Sequence, residues 1–211
     1  MNPVNQFVEI GADGPNKKVY RVKDKSDKAE SRSYTLFKTK LGTCGIAWKE
    51  EGDLRVGPAV TAFQLPDVSD RMTAARIVGK SFARKAHSIP PQITAIIRRV
   101  KLHLGGEAQD FRDIVISLDN VRPFAKEVYA AAREIPSGRT MTYGDIAKAI
   151  KRPHASRAVG QALAKNPVPL IIPCHRVLAS GNKPGGFSAP GGVATKATML
   201  AIEGAGPADS D

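Results

Sequence analysis

The chain has 211 residues, of which 42% are hydrophobic, and it carries a formal net charge of +12 at pH 7. No apolar run reaches the roughly 18 residues that a membrane-spanning helix needs, and two cysteines are too few for a disulfide framework. The first residues lack the basic and apolar segments of a signal peptide, so we expect a cytoplasmic protein with no membrane partner. The positive charge favours a polyanionic partner, and nucleic acid is a better candidate than an acidic membrane surface. The alternative is that the charge only keeps the protein soluble.

The N-terminal half is predicted to hold a charged tail and a small sheet. Residues 1–33 mix positive and negative side chains with little apolar periodicity, which predicts a mobile tail with at most an added strand near residues 18–22. Short apolar runs separated by glycine and charged residues then predict an antiparallel meander with strands over residues 34–39, 44–48 and 59–65. Cys44 falls inside the second strand without spaced Cys or His partners, so we interpret it as a buried thiol and predict no metal site.

A basic connection follows the meander over residues 67–91, with helical spacing around residues 74–82. It can add to a surface that faces nucleic acid or be a solvated excursion, and we favour the second interpretation. Apolar residues at helical spacing predict an amphipathic helix over residues 92–104 that covers the sheet. Residues 114–116 are predicted to be a short strand that returns to it.

The pattern changes to helices near residue 119, where we place a domain boundary. Pro123 suits the first turn of a helix over residues 123–133. Thr142 can cap a short helix over residues 143–150, and a four-residue turn leads into another over residues 155–165. This pair is typical of a helix-turn-helix, with an ordinary helical hairpin as the alternative.

One stretch places a thiol beside a base. Residues 168–172 are an apolar run that we interpret as a buried strand, and Cys174 and His175 follow directly after Pro173. A cysteine is nucleophilic only as the thiolate, so a catalytic one needs a nearby base or positive charge. Neighbours on an extended segment point to opposite sides, so His175 can serve Cys174 only at a sharp turn or through a water. A merely buried cysteine at a strand end is the alternative.

Several short motifs follow one another in the C-terminal half: Arg-Ala-Val-Gly at 157–160, Asn-Pro at 166–167, Pro-Cys-His-Arg-Val at 173–177 and Gly-Gly-Phe-Ser at 185–188. Their order and spacing resemble the O6-alkylguanine-DNA alkyltransferase family, also called methylated-DNA–protein-cysteine methyltransferases. The resemblance is strong over residues 121–203 and extends back to about residue 34. It implies an α/β fold, with a small ribonuclease-H-like antiparallel sheet and helix over residues 34–118. A mainly helical domain with a helix-turn-helix, for DNA binding and alkyl transfer, would occupy residues 119–211.

The resemblance also implies catalytic roles. Cys174 matches the family nucleophile, and Glu203 matches the carboxylate that orients His175, which accepts the thiol proton through a water. Tyr143 matches the tyrosine that crowds the 3′ phosphate and helps to rotate the nucleotide out of the duplex, and Lys196 would help it to stabilise the leaving guanine. From spacing alone, the alternatives are a core tyrosine at Tyr143 and a solvated helix face at Lys196 and Glu203.

DNA and base recognition are implied at two further places. Arg157 matches the arginine that enters the duplex and fills the vacated position, while small neighbours let the helix approach a minor groove: Ala155, Ser156 and Gly160. Asn166 matches an asparagine that bridges the helix-turn-helix and the cysteine segment. The guanine edge would be received by the glycine-rich loop at Gly186, Phe187 and Ser188. In this loop Ala189 and Pro190 precede the Gly-Gly pair that usually follows at once, which leaves the preferred alkyl size open.

The implied reaction is one displacement at the alkyl carbon by the Cys174 thiolate, without a metal or an organic cofactor. A thioether has no easy hydrolytic exit, so each chain should act once. The implied partner is double-stranded DNA containing O6-alkylguanine, bound through its minor groove by a monomer. A lesion-flagging relative would lack the nucleophile, a transcription regulator would not need the Pro-Cys-His-Arg-Val motif, and a cysteine hydrolase would turn over many times.

Overall fold

A mixed sheet forms the N-terminal half of the computed structural model, which describes residues 32–50 and 57–205. Its strands are β1 (Arg32–Thr39), β2 (Gly42–Lys49), β3 (Ala59–Gln64) and β4 (Arg84–Lys85), in the order β3-β2-β1-β4. The predicted antiparallel meander of the first three strands is confirmed. The sheet takes in residues 32–33 of the predicted tail, and the strand expected near residues 18–22 lies outside the described residues.

Both faces of the central strands are covered by helices. Small residues, among them Ala47 and Ala62, pack on one face against helix α1 (Asp70–Ser81). Larger ones, such as Ile46, Trp48 and Phe63, pack on the other side with the apolar stripe of helix α2 (Pro91–His103). This double coverage explains why β2 and β3 are buried along almost their whole length.

The basic connection is better ordered and better packed than we expected. Ser69 caps α1 by accepting a hydrogen bond from Met72 N at 3.2 Å, and Thr73 and Ile77 are buried against the sheet. After Phe82 the chain adds β4 parallel to the start of β1. The interpretation as a solvated excursion is therefore wrong for α1, because Ile77 packs in a buried cluster with Ala47 and Ala62 of the sheet.

The second half is helical, as predicted. Helix α3 (Pro123–Arg133) precedes α4 (Tyr143–Ala149) and α5 (Ser156–Ala164), and α6 (Gly192–Ile202) comes last. The predicted cap is confirmed as a capping box, in which Thr142 Oγ1 accepts from Asp145 N at 3.1 Å and the Asp145 carboxylate accepts from Thr142 N at 2.9 Å. Among the described residues, no helix is long and apolar enough to cross a bilayer.

The two halves meet in one continuous cluster of buried side chains. This cluster includes Phe63 and Val100 from the first half and Val128, Ile146 and Val159 from the second. Residues 114–116 do not form the predicted strand: the contact is a single bridge between Val60 and Ile116, because the chain turns directly towards α3. The domain division at residues 118 and 119 stays a prediction.

The packing of α1 can be tested with two neighbouring residues. Ile77→Ala should lower the free energy of unfolding by about 2–4 kcal/mol, because Ile77 is fully buried and the truncation leaves a cavity. Val78→Ala should change it by no more than about 0.5 kcal/mol, since Val78 is 37% exposed. Urea denaturation of both variants measures the difference. Equal, small effects would mean that α1 does not pack on the sheet.

Candidate active site

Cys174 is presented by a tight turn, not by the end of a strand. Residues 168–172 are buried as predicted, but they fold into a loop in which Leu170 has a φ of 77°, so the predicted strand is wrong. Asn166 stabilises this loop from within: its Nδ2 donates to Ile172 O at 2.8 Å, and its Oδ1 accepts from Val168 N at 2.9 Å. A 3-10 turn then spans Cys174–Arg176. Cys174 and His175 therefore lie on a turn and not on an extended segment.

The thiol of Cys174 lies in the wall of a cavity of about 870 Å³. Burial raises the pKa of Cys174, while a hydrogen bond from Asn166 and the charges of Lys196 and Lys80 act in the opposite direction. The resting cysteine is therefore a protonated thiol whose thiolate form is supported by two lysines. The other cysteine, Cys44, is fully buried in β2, and burial raises its pKa to about 12.

His175 is buried behind the cysteine and is oriented by a carboxylate. Its Nε2 lies 2.8 Å from Glu203 Oε1, while Nδ1 has no hydrogen-bond partner among the described residues. Burial lowers the pKa of His175 despite the opposing effect of Glu203. A neutral ring that donates Nε2–H to a carboxylate keeps a lone pair on Nδ1. His175 can therefore act as a base through Nδ1.

Glu203 follows directly after α6 and is surrounded by donors. Besides His175, Arg176 donates from Nε to Oε2 at 2.9 Å and from Nη2 to Oε1 at 2.9 Å. His103 Nε2 lies 2.9 Å from Oε1 as well. Burial by itself would raise the pKa of Glu203, but hydrogen bonds from His103, His175 and Arg176 outweigh it and hold the pKa far below its usual range. The carboxylate is thus ionised in a buried site.

Lys196 contacts the backbone that directly follows the cysteine turn. It is fully buried, its Nζ donates to Val177 O at 2.6 Å, and burial lowers its pKa to about 8. It is not among the residues that line the cavity. Its influence on the cavity is therefore electrostatic, through the charge it brings near Cys174.

The helix-turn-helix and the glycine-rich loop form the other walls of the cavity. Tyr143, Ser156, Arg157 and Gly160 line it from α4 and α5, and the loop contributes Gly186, Phe187 and Ser188. Ala155 lies just before α5 and Asn166 behind the cysteine, so both stay outside the lining.

The loop is held against Tyr143 and α5. The Tyr143 hydroxyl lies 3.4 Å from Gly186 O, and Ser188 Oγ donates to Ala164 O at 2.8 Å. A Cβ at Gly185, which has a φ of 65°, would come within 3.0 Å of the Tyr143 ring and hydroxyl, so only glycine fits this close approach. Burial raises the pKa of Tyr143, which keeps its hydroxyl a donor.

Several positive side chains are exposed on the helix pair that lines the cavity. Arg157 is exposed on α5, and Lys151, Arg152 and Lys165 are exposed at the ends of the same helix pair. Arg152 also forms an ion pair with Glu127. This surface suits a polyanion that lies across the helix-turn-helix.

Two residues of this site were missed or left open by the sequence. Arg176 had no assigned role, although its adjacency to Cys174 and His175 was visible. His103 was not considered, because it lies in the other half of the chain. One feature of the sequence could have indicated it. His103 follows Val100 by three residues on the buried stripe of α2, where a polar side chain needs a hydrogen-bond partner.

Comparison with known proteins agrees with this site. Residues 123–205 match a family model described as "6-O-methylguanine DNA methyltransferase, DNA binding domain". A methylated-DNA–protein-cysteine methyltransferase of Methanosarcina acetivorans is 33% identical over 171 residues, which cover 81% of this chain and 97% of the relative. One from Metallosphaera sedula is 42% identical over 109 residues, 52% of this chain and 66% of the relative.

Solved structures extend the likeness to the whole fold. Mycobacterium tuberculosis OGT in complex with DNA is 26% identical, with a TM-score of 0.62 over 82% of this chain and 92% of that one. The O6-methylguanine-DNA methyltransferase of Pyrococcus kodakaraensis is 28% identical, with a TM-score of 0.57 over 82% and 99%. The chain therefore belongs to the methylated-DNA–protein-cysteine methyltransferase family. Its class is that of the DNA-repair methyltransferases.

The influence of Lys196 on the thiol can be measured directly. Lys196→Met removes the charge but keeps a long side chain, so the pKa of Cys174 should rise, and by more than in Lys80→Met. The ultraviolet absorbance of the thiolate, followed against pH in DNA-free protein, reports this pKa. Subtracting the same titration of a Cys174→Ser variant removes the contributions of Cys44 and of the tyrosines. An unchanged Cys174 titration in Lys196→Met would contradict the assignment.

The buried carboxylate also predicts a pH-dependent stability. Because the folded-state pKa of Glu203 lies below its ordinary value of 4.5, its stabilising effect is complete above that pH and is lost as the pH falls below it. Glu203→Gln should cost about 3–5 kcal/mol at neutral pH, since it leaves the buried Arg176 without its counter-charge. The difference in free energy of unfolding between Glu203→Gln and wild type should narrow between about pH 5 and pH 3. Denaturation curves at several pH values measure this difference, and a difference that stays constant with pH would contradict the lowered pKa of Glu203.

Proposed function

We propose that this protein removes an alkyl group, methyl in the first instance, from guanine O6 in duplex DNA and keeps it on Cys174. The observation that supports this most directly is the pairing of Cys174, in a cavity wall, with a buried and neutral His175 that Glu203 orients. A nucleophile whose neighbour in the chain is a base held by an orienting group is typical of a site for covalent group transfer.

Access to O6 requires the nucleotide to leave the base stack, at a cost of roughly a few kcal/mol. The cavity of about 870 Å³ can hold a purine, and its walls come from the helix-turn-helix as well as from the cysteine turn. Arg157 is exposed on α5 and lines the cavity, which supports a role in entering the duplex and replacing the extruded base. The half-buried Ala155, Ser156 and Gly160 let α5 approach a minor groove closely.

The reaction balances as a single displacement. The Cys174 thiol gives its proton to His175 Nδ1, directly or through a water, and Glu203 stabilises the imidazolium. Sγ attacks the alkyl carbon, a C–S bond forms, the bond from carbon to O6 breaks, and guanine leaves with the electron pair. Tyr143, whose pKa is raised by burial and which keeps its proton, can donate to the leaving base. Lys196 stabilises the thiolate on the way.

The product explains why each chain should act once. A thioether offers water no carbonyl or acyl carbon to attack, so Cys174 stays alkylated. We infer that the protein works as a monomer on DNA containing O6-alkylguanine, in the cytoplasm, without a metal or an organic cofactor. The complex of the Mycobacterium tuberculosis OGT with DNA supports the choice of partner.

Stoichiometry tests the proposal. Purified protein incubated with duplex DNA containing O6-methylguanine should gain the mass of one methyl group per chain, located on Cys174 by peptide mapping. Cys174→Ser should gain nothing, and Cys44→Ser should behave as wild type because Cys44 is buried with a raised pKa. Binding of the lesion without a mass change, in fully reduced protein, would replace this proposal with that of a lesion-flagging protein.

A further inference from the structure

The side chain of His103, from the N-terminal half of the chain, contacts the carboxylate of Glu203. It is the last residue of α2, its side chain is 1% exposed, and its Nε2 lies 2.9 Å from Glu203 Oε1. Phe111 packs edge-on against its ring, with 5.2 Å between the ring centroids. The same carboxylate oxygen accepts from His175 Nε2 at 2.8 Å. Two imidazoles from different halves of the protein therefore meet on one oxygen atom.

The hydrogen bonds of His103 fix its tautomer. The backbone N–H of Gln109 lies 3.1 Å from His103 Nδ1 and can only donate, so Nδ1 must carry the lone pair. The ring proton is then on Nε2, which donates to Glu203. The loop that follows α2 thus sets up His103 as a neutral donor aimed at the carboxylate.

We propose that His103 is a positioning residue for alkyl transfer, which holds Glu203 in the orientation that in turn fixes His175. This inference rests on the proposed function and extends it, because it makes the N-terminal half a contributor to the chemistry. Arg176 Nε and Nη2 hold the carboxylate from one side, and His103 holds it from the side of α2. Without His103, Oε1 keeps donors only from the cysteine turn and can rotate with it.

Matched variants separate positioning from packing. His103→Phe keeps a ring beside Phe111 but removes the donor, and should slow single-turnover methyl transfer by about tenfold or more. His103→Gln places an amide N–H near the position of Nε2 and should stay within about threefold of wild type. Val100→Ala, one turn earlier on α2 and fully buried, loosens the same helix without touching Glu203 and should also stay within about threefold.

The rates decide between the two readings of His103. A His103→Phe protein as fast as wild type would overturn the proposal. So would Val100→Ala slowed as much as His103→Phe at an equal loss of melting temperature, because the effect would then be one of packing.

A spectroscopic measurement is independent of activity. The chain contains four histidines, so isotope-labelled imidazole nitrogens can be assigned by NMR with single variants. His103 should be the neutral Nε2–H tautomer in wild type. In His103→Phe, the Nε2–H signal of His175 should move to lower field because one donor fewer then competes for Oε1, whereas Val100→Ala should leave it in place. A His103 that carries its proton on Nδ1, or an unmoved His175 signal, would refute the inference even if methyl transfer is normal. Absence of transfer in wild type, with these signals as expected, would instead refute the proposed function alone.

Discussion

The site depends on one buried negative charge. A carboxylate that is 1% exposed is costly unless its oxygens are occupied, and Glu203 meets this demand with Arg176, His175 and His103. The three donors come from a 3-10 turn and from the end of α2, so satisfying the charge also fixes these elements against α6. The geometry of the base, the turn that carries the thiol and the contact between the two halves are consequences of the same requirement.

Desolvation has opposite effects on the groups around the thiol, and this difference sets the resting state. Burial raises the pKa of Cys174 and lowers those of His175 and Lys196. The resting site therefore favours a neutral thiol beside a neutral imidazole, which protects the cysteine from unproductive chemistry. In the proposed reaction, a nucleobase in the cavity would exclude water further, so the fixed charges of Lys196 and Glu203 would stabilise the ion pair of thiolate and imidazolium.

Local signals made much of the fold predictable, and long-range contacts account for what was missed. The cap at Thr142, the Pro123 start of α3 and the apolar stripe of α2 depend on neighbouring residues, and each appears where predicted. Residues 168–172 were misread because an apolar run bounded by prolines is compatible with a strand or with a buried turn, and only Leu170 in a left-handed conformation distinguishes them. The packing of α1 and the contact of His103 depend on residues far away in the chain, which periodicity cannot reveal.

The loop variation that left the pocket width open has a structural answer. Ala189 and Pro190 lie outside the cavity lining and belong to the turn that starts α6. Gly192 N donates to Ala189 O at 3.0 Å, and Thr195 Oγ1 donates to Pro190 O at 2.7 Å, so both carbonyls serve the first turn of that helix. The wall itself is held one residue earlier, where Ser188 binds Ala164 O at the end of α5. Ala189 and Pro190 therefore belong to the approach to α6, the helix that carries Lys196 and leads into Glu203, whereas Tyr143 and residues 186–188 line the cavity.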